Sequence, residues 1–240
     1  GLVGSEMCIR DRRWTVRQME RIRSSRIAGT RWLVDALRQL EQRPRSFISA
    51  SAVGLYGDRG SERLNEDSSP GTGFLANVCS AWEAEALAAG ETAGMRVALA
   101  RFGVVLSPRG GALAKMLPPF RLGAGGRLGS GRQFMSWISI EDAAAALLHL
   151  LMEDSLEGAF NLSAPRPVTN GEFTRTLATV LRRPAIVPMP AFAVRAAFGR
   201  MGDEMLLSGA QVLPERLESS GFSFRHPTLD GALRHLLGRE

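Results

Sequence analysis

Apolar positions recur with a helical period over residues 13–40, where Ile27, Leu33, Val34, Leu37 and Leu40 share one face with Thr30. This predicts an amphipathic helix in two pieces, broken by Arg43-Pro44-Arg45. Residues 46–52 (SFISASA) read as a short buried strand, and residues 54–73, rich in Gly, Ser, Asn, Asp and Pro, as a loop. A second helix is predicted over 74–89, stopped by Gly90 as a C-capping glycine. Residues 96–106 (RVALARFGVVL) form a nearly continuous apolar run, as a parallel strand buried on both faces requires. A helix to Phe120, a loop over 123–132, a strand over 135–140, a helix over 141–152 and a strand over 158–163 follow. Thr169 or Asn170 then caps a helix running to Leu181, residues 185–188 are extended, and a helical tail ends in the amphipathic stretch 229–237. Helix and strand in alternation predict right-handed crossovers and a parallel α/β sheet.

Charge changes this picture little. The net charge of +6 comes from 29 arginines and one lysine, Lys115, spread along the chain. Such an imbalance reads as coding bias rather than as a binding code. The densest cluster, Arg17, Arg21, Arg23 and Arg26, reads as a solvated helix face in preference to a phosphate or nucleic-acid contact. No aromatic residues interleave with it to stack bases, so no nucleic-acid partner is expected. No apolar run approaches the ~18 residues of a membrane span, and no membrane association is expected. Cys8 and Cys79 make no disulfide framework, and His149, His226 and His235 lack ligand spacing, so the expected metal content is none and the expected compartment is the cytoplasm.

Gly123, Gly125, Gly126, Gly129 and Gly131 crowd one loop. A dinucleotide fingerprint leaves a strand and enters a helix, so that the pyrophosphate meets the helix N-terminus. This loop leaves a predicted helix and enters a predicted strand, and is read instead as a flexible loop on the substrate side. Residues 1–12 (GLVGSEMCIRDR) have neither helical period nor signal-peptide core. They resemble translated adapter sequence at the ends of proteins from environmental assemblies and are expected to be no part of the fold, with the natural chain beginning further upstream.

Four segments in order resemble the extended short-chain dehydrogenase/reductase family: Ser49-Ala50-Ser51-Ala52-Val53-Gly54-Leu55-Tyr56-Gly57, Arg101-Phe102-Gly103-Val104-Val105-Leu106, Trp137-Ile138-Ser139-Ile140-Glu141-Asp142-Ala143 and Gly158-Ala159-Phe160-Asn161-Leu162. Trp82-Glu83 and the tail from Leu206-Leu207-Ser208-Gly209 to Gly221-Phe222-Ser223-Phe224-Arg225-His226-Pro227 resemble its atypical "epimerase family" subgroup, whose members carry a C-terminal domain of unknown function. The resemblance implies a Rossmann-like, doubly wound parallel sheet whose N-terminal nucleotide-binding half is missing, with a small C-terminal α/β substrate-side subdomain. It divides the chain into residues 13–110, the C-terminal part of the NAD(P)-binding domain; 111–190, a substrate-side region interleaved with the last strands; and 191–240, a C-terminal helical domain.

The same resemblance implies NADP, or NAD, as cofactor, contacted by Arg26, Ser49, Ala50, Arg101, Gly103 and Val105, with binding expected to require the missing N-terminal segment. A solvated helix face for Arg26 and a core strand position for Val105 remain open, and Ser136 and Trp137 either line the substrate side or pack in the core. Typical members of the family use a tyrosine acid/base with a lysine four residues later. The sole tyrosine, Tyr56, and the sole lysine, Lys115, cannot form that pair, and its two positions fall at Asn77 and Ala81. Asn77 is no acid and Ala81 carries no charge. Ser51 and Tyr56 are then the catalytic candidates, with Tyr56 read as a pocket wall in preference to an acid. Two functions follow: an NAD(P)-binding oxidoreductase- or epimerase-like protein of unknown small-molecule substrate, or a non-catalytic cofactor sensor or scaffold on the same fold.

Overall fold

In the computed structural model, which describes residues 14–239, the expected order of helices and strands is present. The reading of residues 1–12 lies outside the described residues. Helix α1 spans Val16–Arg38 as one piece, its start capped by the Thr15 hydroxyl, which accepts from the Gln18 N–H at 3.2 Å. Strand β1 (Ser46–Ala52) follows, then a 3₁₀ turn at Val53–Tyr56 inside the predicted loop, and a two-residue strand β2 at Arg63–Leu64. Helix α2 (Phe74–Ala93) runs through Gly90 and is capped by Gly94, whose φ is +67°. Gly90 is glycine for another reason: a Cβ there would lie 3.3 Å from the Met95 carbonyl oxygen and 3.4 Å from Val97 Cγ2, where the helix sits on the sheet.

Strand β3 (Arg96–Phe102) is the centre of a three-stranded parallel sheet of order β1-β3-β7, where β7 is Gly158–Leu162. Its neighbours on alternate faces explain the unbroken apolar run. Val97 and Leu99 pack with Val34 of α1 and with Ala86, Ala89 and Ala93 of α2. Ala98 and Ala100 pack on the other face with Ile138, Phe160 and the alanines of helix α4 (Ile140–Met152). Small residues on α2 and α4 let both helices approach the sheet closely, and each large side chain fully buried between the layers contributes roughly 1.5–3 kcal/mol. The result is a three-layer, Rossmann-like α/β architecture. β1 is an edge strand among the described residues, and Trp32 on α1 and Leu148, Leu151 and Met152 on α4 are exposed. No helix among the described residues is long and apolar enough to cross a membrane.

The expected strand over 96–106 is two strands. After Gly103 the chain leaves the central sheet, and β4 (Val104–Ser107) pairs in parallel with β6 (Trp137–Ser139). The crossing is tight: a Cβ on Gly103 would lie 2.7 Å from the Ser136 carbonyl oxygen. Backbone cannot yield as a side chain can. Gly103→Ala is therefore expected to lower stability by about 1–3 kcal/mol in urea unfolding, and an unchanged midpoint would show that the crossing has slack.

Helix α3 (Gly111–Arg121) leads to the glycine loop and to β5 (Phe134–Met135), so residues 135–140 hold parts of two strands rather than one. Gly125 and Gly126 make room in that loop for the Phe120 ring and the Val187 carbonyl. β8 (Val168–Thr169) pairs antiparallel with β5 and leads into helix α5 (Asn170–Leu181), which carries a full capping box between Thr169 and Glu172. The tail holds helix α6 (Ala191–Phe198), a π-helical turn at Gly202–Leu207, helix α7 (Glu215–Ser219) and helix α8 (Leu229–Leu237). It also contains a strand, β9 (Gln211–Val212), which pairs in parallel with β2. Leu229, Ala232 and Leu233 of α8 share one core with Leu106, Trp137 and Phe173.

Candidate functional site

Parallel register sets Ser51, Arg101 and Asn161 side by side on one rung of the β1-β3-β7 sheet. All three are buried, which is costly unless their polar atoms find partners. Helix α2 supplies the first. Glu83 accepts from Arg101 through both carboxylate oxygens, Nε to Oε1 and Nη2 to Oε2, each at 2.9 Å, and from the Ser51 hydroxyl at 2.6 Å. The 3₁₀ turn after β1 brings Tyr56 back over the rung. Its hydroxyl accepts from Arg101 Nη1 at 2.9 Å and donates to Asn161 Oδ1 at 2.8 Å. Nη1 also donates to the Glu66 carbonyl at 3.0 Å.

The network continues into the tail. Asn161 Nδ2 donates to the Leu213 carbonyl at 3.0 Å, and the Asn161 N–H donates to Glu66 Oε1 at 2.9 Å. The hydroxyls of Ser163 and Ser136 donate to the carbonyls of Val212 and Ala210. Polar side chains at the strand ends thus stitch residues 210–213 onto the sheet.

Burial sets the electrostatics. Burial alone would lower the Arg101 pKa, but the Glu83 carboxylate and Tyr56 hold it above the ordinary guanidinium value. Burial raises the Tyr56 phenol, and the Arg101 charge offsets only part of that rise. Glu66 is likewise raised by burial. The Cys79 thiol is pushed up to about 11, by burial first and by the Glu83 charge next, so it is protonated and unreactive near neutrality.

Of the residues singled out from sequence, the structure gathers Ser51, Tyr56 and Arg101 into this one network. Tyr56 is 0% exposed, with both roles of its hydroxyl taken. Ser49 is buried on β1, and its hydroxyl reaches only the Ala50 carbonyl, at 3.4 Å. Gly103 is buried against the Ser136 backbone, and Val105 is half-buried against the core around Ile138. Ser136 and Trp137 are interior residues, with the Trp137 Nε1–H on the Arg166 carbonyl. Two of the singled-out residues face outward. Ala50 is exposed on β1, and Arg26 is half-buried with its guanidinium 5.3 Å from the Trp82 ring centroid. Asn77 is exposed in the first turn of α2, with Ala81 half-buried one turn on.

Sequence reasoning did not single out Glu66, Glu83 or Asn161 as site residues. Glu83 and Asn161 lie inside segments that carry the family resemblance; Glu66 sits in an aperiodic loop that gave no signal. A separate cleft of about 680 Å³ opens beside the glycine loop, where Arg127, Arg132 and Arg175 meet Thr169 and Ile186.

Comparison with known proteins agrees with this architecture. The model of the NAD dependent epimerase/dehydratase family matches residues 8–163, and that of a domain of unknown function, DUF1731, matches residues 189–236. An epimerase family protein of Mycobacterium tuberculosis is 46% identical over 231 residues, 96% of this chain and 76% of that protein. The crystal structure of human epimerase family protein SDR39U1 (isoform 2) with NADPH superposes with a TM-score of 0.90 at 36% identity, covering 95% of this chain and 77% of that one. A nucleoside-diphosphate sugar epimerase from Corynebacterium glutamicum superposes with a TM-score of 0.75 at 35% identity, over 95% of this chain and 44% of that one.

Proposed function

The chain belongs to the NAD dependent epimerase/dehydratase family, and from that premise we propose that it is an NADP(H)-binding, oxidoreductase- or epimerase-like protein that lacks the family's tyrosine–lysine relay and does not use Tyr56 in its place. The NADPH held by the human relative supports the choice of cofactor. The described residues fit one side of such a molecule. Ala50 and Arg26 would meet it from the exposed face of β1 and from α1, while Ser49, Arg101, Gly103 and Val105 support the wall from behind. Gly110 and Gly111, in the turn from β4 to α3, lack the spaced-glycine pattern of a pyrophosphate cradle. When bound, the nicotinamide supplies or takes up a hydride.

The observation that carries this reading is the Tyr56 hydroxyl, fully buried between Arg101 and Asn161. A general acid must come within hydrogen-bond reach of the substrate. A phenol in the interior, with burial raising its pKa, holds a pocket wall together instead. Tyr56→Phe is therefore expected to leave NADPH affinity unchanged in a calorimetric titration. It should lower stability by about 1–3 kcal/mol, because Arg101 and Asn161 each lose a buried partner. Any turnover of a nicotinamide-coupled substrate should survive the change; a loss of about 10²–10⁴-fold with intact binding would return Tyr56 to the role of acid.

A second reading, a cofactor sensor or scaffold without turnover, draws support from the same rung. Glu83, Arg101, Ser51 and Tyr56 satisfy one another and leave no ionisable group of the network free for a substrate. NADPH binding without turnover across carbonyl and sugar-nucleotide substrates would favour it, and turnover of any one of them would exclude it.

A further inference from the structure

Two of the three histidines, scattered in sequence, meet in space. His226, in the segment after α7, and His235, in the last turn of α8, both approach Glu141 in the first turn of α4. His226 Nε2 lies 3.0 Å from Glu141 Oε2. His235 Nε2 lies 3.1 Å from Oε1 and 3.0 Å from Oε2 of the same carboxylate. The two imidazoles stack with ring centroids 4.5 Å apart and an interplanar angle of 28°. One ligand atom from each of the three residues falls within 4.8 Å of the others.

We propose that Glu141, His226 and His235 form a site for a divalent transition-metal ion of the zinc class. Two neutral imidazole nitrogens and one carboxylate oxygen are a donor set that zinc favours, with bonds of about 2.0–2.2 Å. Tetrahedral ligands at that radius stand roughly 3.3 Å apart, so the nitrogen–oxygen separations here need to open by only a few tenths of an ångström. The three side chains are 39%, 15% and 41% exposed, so an ion reaches them directly from solvent and keeps a fourth position for water.

The parts of the site are differently fixed. The backbone N–H of His226 donates to Asp142 Oδ2 at 3.1 Å, beside Glu141, which holds that imidazole to the start of α4. His235 arrives on α8, whose Leu229, Ala232 and Leu233 are buried in the core. A bound ion would therefore join α4 to two points of the tail. Ions that bind only the folded state stabilise it by mass action, and removal of the metal should loosen the tail first. The site shares no residue with the Ser51–Arg101–Asn161 rung, and its role is that of a clasp on the C-terminal segment.

The test is a calorimetric titration of the chelator-treated full chain with Zn²⁺, paired with thermal melts. One ion per chain is expected, with a rise in the melting midpoint. Co²⁺ in place of Zn²⁺ should give the visible absorption of a four-coordinate ion. His226→Gln and His235→Ala should each weaken binding at least tenfold, the scale set by losing a ligand or its supporting shell. Should either variant fold poorly, Glu141→Gln serves instead. It keeps an acceptor for the histidines and removes the charge, and should melt without metal as the parent does while losing Zn²⁺ affinity. No binding at millimolar Zn²⁺, or tight binding unaffected by all three substitutions, would overturn the proposal.

Discussion

Arg101→Ala is expected to lower stability by about 3–5 kcal/mol in urea unfolding, and Glu83→Ala by a similar amount. The side chains of the pair are only 10% and 9% exposed, and Glu83 grips the guanidinium through two parallel hydrogen bonds. Removing one partner leaves the other charge buried without the counter-ion it now pairs with. Arg101→Ala also strips a donor from the Tyr56 hydroxyl and from the Glu66 carbonyl, so the damage spreads toward the tail. The double replacement Glu83→Leu with Arg101→Met should recover most of the loss, because it removes both charges and refills the space. A loss below about 1 kcal/mol for Arg101→Ala would place the pair among solvent-screened surface bridges and contradict its burial.

That pair marks where sequence reasoning reached and where it stopped. The apolar run 96–106 announced a strand buried on both faces, and β3 is one. Counting one tyrosine and one lysine was enough to see that the given sequence holds no Tyr-x-x-x-Lys, a reading that needs no geometry. Composition could not reveal that Ser51, Arg101 and Asn161 share a rung, since that depends on register between strands far apart in the sequence. Nor could it tell whether the Tyr56 hydroxyl faces a ligand or the interior.

Glycines gave away only part of their role. Gly90 looked like a helix stop and is a contact point with the sheet; Gly103, read as a cofactor position, also stands at a backbone crossing. Both are explained by close approach of distant backbone, which leaves no local pattern. The histidines were scattered in sequence, and spacing along the chain cannot show which of them meet in the fold. Here α4, α8 and a loop bring Glu141, His235 and His226 together.

Asp142→Ala is expected to lower stability by roughly 3 kcal/mol or more and to release the tail from α4 before the sheet unfolds. Asp142 is 0% exposed at the start of α4. Its Oδ1 accepts from the Arg225 N–H at 2.8 Å, and its Oδ2 accepts from the His226 N–H at 3.1 Å and from the Ser139 hydroxyl at 2.9 Å. Alanine would leave two backbone donors of the tail without a partner, each costing about 1–3 kcal/mol. It would spare the helix cap, because the Ser139 hydroxyl accepts from the backbone N–H of residue 142 whatever the side chain. The damage should therefore be localised. Amide hydrogen exchange at Arg225 and His226 should accelerate well beyond that in β3 and β7, and the gap should close only near global unfolding. Asp142→Asn keeps one acceptor oxygen but turns an N–H₂ toward the other donor, so it should fall between alanine and the parent. Uniform acceleration of exchange across the sheet and the tail would mean instead that the two unfold as one unit, with Asp142 supporting the whole fold rather than the attachment of its C-terminal segment.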